Sequence, residues 1–314
     1  MPPTTSPQVP FDLQSHSTRS DGVLEPHEVV AAAAAAGVKL LALTDHDTLA
    51  GVEEALGAGA DHGVAVVPAI EISAIDDPSA TASSGAQARQ GTAGTARELH
   101  ILGYLVDHTD PTFLATLADF LADREQRTLR MAQNLRDLGF ELDAQAIDAR
   151  VQAGEPIGRP HLAEAALSHP ANAERLRSEQ IDDIGSFIRG YLIEGRPAFC
   201  LRVTPTVKEA IDAIHDAGGL AIWAHPFWDV SDPDEVLAMI DRFRALGIDG
   251  AEAFYVTHTR EQTELVARRC EELDMLSTGS ADFHGPDNRL FSRFMAFETY
   301  DLQPRLGAIG ALVE

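Results

Sequence analysis

Cysteine is almost missing from this chain: Cys200 and Cys270 are the only two in 314 residues. Two are too few for a disulfide scaffold, and neither stands in a C-x-x-C pair, so both are expected to be buried small hydrophobes. Positive charge is also scarce. Lys and Arg number 24 against 49 Asp and Glu, a net −25, and such a field repels polyanions and leaves no basic footprint for duplex nucleic acid. No apolar run approaches the ~18 residues that span a bilayer, so no membrane partner is expected. The opening MPPTTSPQVP has neither the charged head nor the apolar run of a signal peptide. It reads as a short mobile arm on a cytoplasmic protein. There is no G-x-S-x-G and no P-loop pattern, which argues against covalent serine hydrolysis and nucleoside triphosphate binding of those types.

What is present is an ordinary globular composition, 45% hydrophobic and 23% charged, in a length that suits a barrel-sized domain with an insertion, or two domains. Pro26 opens an Ala-rich stretch that Gly37 closes, which predicts a helix over Pro26 to Ala36. The run VKLLAL then reads as a buried parallel strand ending in Thr44-Asp45-His46-Asp47, with Asp47 or Thr48 placed to cap the next helix. Val64 to Ile72 is a further buried strand carrying Glu71 at its end. Asp76 to Ala96 is rich in Ala, Ser, Gly, Thr and Gln and predicts a mobile surface loop. Strand character returns at Glu98 to Val106, with His100 inside it.

From Pro111 the apolar period becomes helical, with Leu114, Leu117, Leu121, Met131, Leu135 and Leu138 at three- and four-residue spacing. No convincing strand occurs before Pro197, so residues 108–199 read as an α-helical insertion domain. Alternation resumes at Val207, with strands at Leu220 to Ala224, Asp249 to Phe254 and Met275 to Thr278. Alternating strands and helices predict a parallel sheet, α/β in class. If that sheet closes into a barrel, polar clusters at the carboxyl ends of its strands converge on one face. Residues 1–107 and 200–314 would form that barrel.

Eight ligand-type residues stand at those strand ends: His16, Asp21, His46, Glu71, His100, His225, Asp282 and His284. A mixed set of imidazoles and carboxylates suits Zn, Mn or Fe better than Ca or Mg. The other histidines, His27, His62, His108, His169, His215 and His258, fit the ordinary role of hydrogen-bonded or surface side chains. Asp12 and Asp45 are expected to orient ligand imidazoles or to bond at a strand end. Arg124 and Arg127, at helical spacing, read as a solvated face.

Five motifs, in order, resemble the PHP (polymerase and histidinol phosphatase) family of metal-dependent phosphoesterases. They are D-L-Q-S-H with S-D-G, T-D-H-D, the strand-end Glu71, A-H-P at Ala224 to Pro226, and A-D-F-H-G from Ala281. The resemblance spans the barrel and implies a distorted (β/α)7 fold with the helical domain inserted. It also implies two or three divalent metal ions. His16, Glu71 and Asp282 would hold one, Glu71 would bridge to a second held with His100 and His225, and Asp21, His46 and His284 would hold a third. Gln14 departs from the family, which has His there, and a neutral amide is a weaker ligand, so the first site is expected to be altered.

In the branch of that family that hydrolyses nucleoside 3',5'-bisphosphates and trims short RNA from the 5' end, an R-P-H in the helical insertion faces the substrate phosphate. The matching Gly158-Arg159-Pro160-His161 assigns phosphate contact to Arg159 and His161, with His161 a candidate proton donor. The resemblance therefore implies removal of the 3'-phosphate of a substrate such as adenosine 3',5'-bisphosphate, with a metal-activated hydroxide as nucleophile and an AMP-like product. Alternatives are 5'-3' exonuclease action on short single-stranded oligonucleotides, histidinol phosphatase activity, and a metal-binding module without catalysis.

Overall fold

The strands and helices read from the hydrophobic pattern assemble into a sheet that curls until its first and last strands meet. A computed structural model describes residues 9–77, 96–153, 157–193, 195–200 and 205–313. The expected N-terminal arm (residues 1–8) and most of the expected loop (78–95) lie outside the described residues. The strands are β1 (Phe11–Asp12), β2 (Leu40–Leu43), β3 (Ala65–Asp76), β4 (Arg97–Tyr104), β5 (Leu220–Trp223), β6 (Gly250–Tyr255) and β7 (Leu276–Ser280), in that order across one sheet. Closure follows because the segment after β1 bonds to the segment after β7. Leu13 N donates to Gly279 O at 3.2 Å, and His16 N donates to Phe283 O at 2.8 Å.

The helices are α1 (Pro26–Ala35), α2 (Val52–His62), α3 (Pro111–Asp137), α4 (Ala144–Ala153), α5 (Arg159–Leu167), α6 (Ala173–Ser178) and α7 (Ile184–Tyr191), then α8 (Val207–Asp216), α9 (Pro226–Asp229), α10 (Pro233–Leu246) and α11 (Arg260–Glu272). The α2 helix starts after Gly51, not at Asp47 or Thr48. Asp47 instead accepts from the amide and the hydroxyl of Ser73, at 2.8 and 3.1 Å, and is committed to β3.

The expectation of a wholly parallel sheet is corrected at β4. β4 runs antiparallel to β5, with Ile101 opposite Trp223 and Tyr104 opposite Leu220. Among the described residues the two strands are joined by six α-helices, α3 to α8, and a short single-helix crossover is what constrains neighbours to run parallel. A long helical connection carries no such constraint.

The chain divides into two compact units: Met1–Ala74 with Leu99–Leu114 and Val207–Glu314, and Ile75–Glu98 with Ala115–Thr206. In the first, fully buried Leu13, Leu40, Val67, Leu102, Tyr104 and Ile222 from neighbouring strands pack together. Val29, Val30 and Ala33 of α1 pack with Leu41, Leu43 and Val66 of the sheet. Each such aliphatic side chain contributes roughly 1.5–3 kcal/mol by leaving water.

The second unit, taken by itself, is helical around Met131, Leu135, Phe140, Leu162, Phe187 and Leu192. Phe140 meets Phe187 and Tyr191 edge-on, with ring centroids 5.2 and 4.8 Å apart. Arg124 and Arg127, expected on a solvated face, are only 7% and 3% exposed. Arg124 Nε donates to Ile157 O at 3.1 Å, Arg127 Nε to Cys200 O at 2.7 Å, and Arg127 Nη2 to Glu98 at 2.7 Å. The spacing of charged residues cannot show that carbonyls on another segment will saturate a guanidinium. Cys270 is buried as expected, whereas Cys200 is only partly so. No helix among the described residues is long and apolar enough to cross a membrane.

Candidate metal centre

The site begins with the turn after β1. Asp45, following β2, accepts from Ser17 N (2.7 Å), Ser17 Oγ (2.6 Å) and Ser20 Oγ (2.7 Å), and so pins residues 17–20 against the strand ends. Gly22 closes this turn where a Cβ would stand 2.2 Å from His16 O, a distance that admits no side chain. Asp12 accepts from Ala281 N at 3.0 Å and Met295 N at 2.7 Å, which fixes the loop that carries Asp282. Both carboxylates thus anchor backbone and hydroxyl groups instead of imidazoles, and burial raises the Asp12 carboxyl to about 7.

Four strand ends then supply the ring of side chains. His46 follows β2 and pairs across to Glu71, which lies within β3 because that strand runs on to Asp76. His225 follows β5, and Asp282 and His284 follow β7. His100 sits near the start of β4, yet it reaches the same rim because β4 runs the other way, and Ala224 N donates to its carbonyl at 3.1 Å. Asp47, His225 and Asp282 hold positive φ values of 56°, 30° and 53°. For side-chain-bearing residues such backbone costs of order 1–3 kcal/mol each, a cost that elsewhere clusters at functional sites.

Three overlapping groups result: His16, Glu71 and Asp282; His46, Glu71 and His100; and His16, Asp21, His46 and His284. His16 Nε2 lies 3.1 Å from Glu71 Oε2 and 3.1 Å from Asp282 Oδ1, while its Nδ1 faces Asp21 Oδ1 at 3.6 Å. His100 Nδ1 and His225 Nε2 lie 2.8 and 3.1 Å from Glu71 Oε1, and 3.4 Å from each other. Asp21 also faces His46 Nε2 at 3.7 Å and His284 Nε2 at 3.4 Å. Glu71 is therefore shared, as a bridging carboxylate would be.

The donor set fits divalent metals on a direct observation. His16 Nε2, His46 Nδ1, Glu71 Oε2 and Asp282 Oδ1 are buried with no hydrogen-bond partner, although they crowd within a few ångströms of one another. Leaving such atoms unsatisfied costs about 1–3 kcal/mol each, and cations in their midst would satisfy them together. Electrostatics agree. Burial alone would raise the Glu71 carboxyl, but the imidazoles of His46 and His100 hold it well below the usual range. Asp21 is lowered likewise by His46 and His284 against its own burial. Burial opposes protonation of His16, yet the Asp282 and Glu71 carboxylates raise it well above the usual histidine value.

Gln14 is fully buried, and its Oε1 lies 3.3 Å from Ser280 Oγ. Ser280 in turn donates to Glu252 Oε1 at 2.6 Å, and Glu252 Oε2 accepts from His225 N at 2.9 Å. Glu252 was not singled out from the sequence, although a lone carboxylate inside the apolar strand Gly250-Ala251-Glu252-Ala253-Phe254-Tyr255 is a signal for it. Burial raises it to about 8. Tyr255 was also missed, and its hydroxyl donates to Asp282 Oδ2 at 2.7 Å. Arg159 and His161 belong to the second unit. Arg159 Nη1 faces Glu98 Oε2 at 3.4 Å, and His161 Nδ1 accepts from Gly158 N at 3.1 Å, capping its own helix.

A model of the PHP domain matches residues 12–147. A 5'-3' exoribonuclease of Haemophilus influenzae is 33% identical over 88% of this chain and 90% of its own length. A 3',5'-nucleoside bisphosphate phosphatase of Chromobacterium violaceum is 28% identical over 88% of this chain and 87% of its own. Among solved structures, a protein assigned as a metal-dependent phosphoesterase from Bifidobacterium adolescentis superposes with a TM-score of 0.69 at 27% identity, covering 91% of each chain. The chain belongs to the PHP family and is a metal-dependent phosphoesterase.

Proposed function

We propose that this enzyme removes a terminal phosphate from small nucleotides, its substrate being the 3'-phosphate of a nucleoside 3',5'-bisphosphate such as adenosine 3',5'-bisphosphate. The observation that carries the reading is the convergence of orphaned nitrogen and oxygen atoms on Glu71 at one rim of the barrel. His16, Glu71 and Asp282 would hold one ion, Glu71, His100 and His225 a second, and Asp21, His46 and His284 a third. Bound there, Mn, Zn or Fe supplies Lewis acidity that lowers the pKa of a water and neutralises phosphoryl charge. The protein's own part is to fix the geometry beforehand. Tyr255 holds Asp282, Glu252 holds the His225 backbone, and Asp12 and Asp45 hold the two loops. Arg159 and His161 are proposed as contacts to substrate phosphate, through a guanidinium fork and an imidazole.

The net −25 supports short substrates over long polynucleotides, because repulsion weakens the phosphate attraction that drives nucleic-acid affinity. A second reading, 5'-3' exonuclease action on short RNA, is favoured by the 33% identity to the Haemophilus exoribonuclease. Turnover of adenosine 3',5'-bisphosphate, a short 5'-phosphorylated RNA and histidinol phosphate, measured side by side, separates these readings. The bisphosphate is expected to be the best of the three. Finding it the poorest overturns the assignment.

A further inference from the structure

Beside the metal centre the barrel unit carries an aromatic cluster that the hydrolytic residues do not account for. Trp228 is 51% exposed, whereas the chain's other tryptophan, Trp223, is core at 1%. The Trp228 ring stands edge-on to Phe291, with centroids 5.6 Å apart and an interplanar angle of 60°, and to Tyr255 at 6.4 Å and 76°. These rings thus pack edge to face and not as a closed stack. Tyr255 lies 5.3 Å from the His225 ring, and Phe291 lies 5.4 Å from the His284 ring.

Backbone bonds tie the two outer rings to the same two histidines. Trp228 N donates to His225 O at 2.8 Å, and His284 N donates to Phe291 O at 2.9 Å. The aromatic cluster is therefore held at a set distance from residues that face Asp21 and Glu71. Phe291 is flanked in the chain by Arg289 and Arg293, both exposed, in a protein whose charge is otherwise strongly negative. A single exposed tryptophan is unremarkable on a surface. One held by a backbone bond to His225, beside a centre that hydrolyses phosphoesters, calls for a ligand with a flat face and a phosphate.

We propose that the half-exposed Trp228, with Phe291 beside it and the buried Tyr255 as backing, is the stacking platform for the nucleobase of the substrate nucleotide. This rests on the nucleotide reading above and extends it, because it makes the enzyme select for a base without reading which one. Stacking tolerates every base, since each has a π-face. In Trp228→Ala, the ratio of kcat/KM for adenosine 3',5'-bisphosphate over base-free ribose 3,5-bisphosphate is expected to fall roughly 5- to 150-fold, with Trp228→Phe restoring most of it. An unchanged ratio in Trp228→Ala overturns the platform.

Fluorescence supplies a second readout that needs no turnover. AMP titrated into the purified enzyme is expected to quench tryptophan emission, and the quench is expected to vanish in Trp228→Phe. Absence of quenching in the parent protein, or equal quenching in Trp228→Phe, overturns the proposal. If AMP quenches Trp228 while adenosine 3',5'-bisphosphate is the poorest of the substrates compared above, the substrate assignment falls and the platform stands.

Discussion

In the helical unit the buried side chains of Arg124, Arg127 and Asn172 are held by hydrogen bonds. Arg124 and Arg127 end on the carbonyls of Ile157 and Cys200, and Asn172 Nδ2 donates to Glu141 O and Ala166 O, both at 2.7 Å. In the barrel unit His16 Nε2, His46 Nδ1, Glu71 Oε2 and Asp282 Oδ1 are buried as deeply and left without partners. The difference separates two uses of a buried polar group. A satisfied one specifies packing and is felt as stability. A set of unsatisfied ones, converging on one carboxylate, is kept for something that arrives from outside.

That contrast breaks if changes in the two units have the same consequence. The largest effect is expected from His46→Ala combined with His225→Ala, where turnover should fall at least about a hundredfold as transition-state charge stabilisation is lost. Steady-state rates with metal content measured in parallel check it, and unchanged activity would refute a catalytic role for the cluster. Phe187→Ala, in a position that is 0% exposed, should cost about 3–5 kcal/mol in denaturant unfolding while leaving kcat per folded molecule intact. Asn172→Ala strands the carbonyls of Glu141 and Ala166 and should cost about 1–3 kcal/mol, again in stability and not in rate.

A change that sharpens the comparison is Arg159→Ala. It lies in the stability-bearing unit but is proposed to touch phosphate, so KM for nucleotide should rise about tenfold, and Lys should not restore a bidentate fork. The smallest effect concerns Cys270, whose burial pushes the thiol up to about 12. In the native protein it should stay unmodified by iodoacetamide at neutral pH, as mass spectrometry of the labelled chain would show.

Much of the barrel is legible in the sequence because its signals are local. Continuous apolar runs mark buried strands, helical periods mark the connections, and Thr44-Asp45-His46-Asp47 or Ala281-Asp282-Phe283-His284 follows its strand directly. The direction of β4 is not legible, since hydrophobic pattern reports which residues are buried and not which way the strand runs. For the same reason His100 reaches the rim from the start of its strand. Arg124 and Arg127 were misplaced because their satisfaction depends on Ile157, Cys200 and Glu98, distant in sequence. Glu252 and Trp228 are single residues whose meaning comes from neighbours on other elements. Gln14 was visible as a departure, but its tie to Ser280 and onward to Glu252 needed the fold.

The central claim is that the unsatisfied atoms around Glu71 are a metal centre. Elemental analysis of the purified chain, before and after chelation and reloading, tests it most directly. From the three overlapping groups the account predicts two or three tightly bound divalent ions per chain, with activity lost on chelation and restored by Mn, Zn or Fe. Fewer than two tightly bound ions in a fully active enzyme would contradict it.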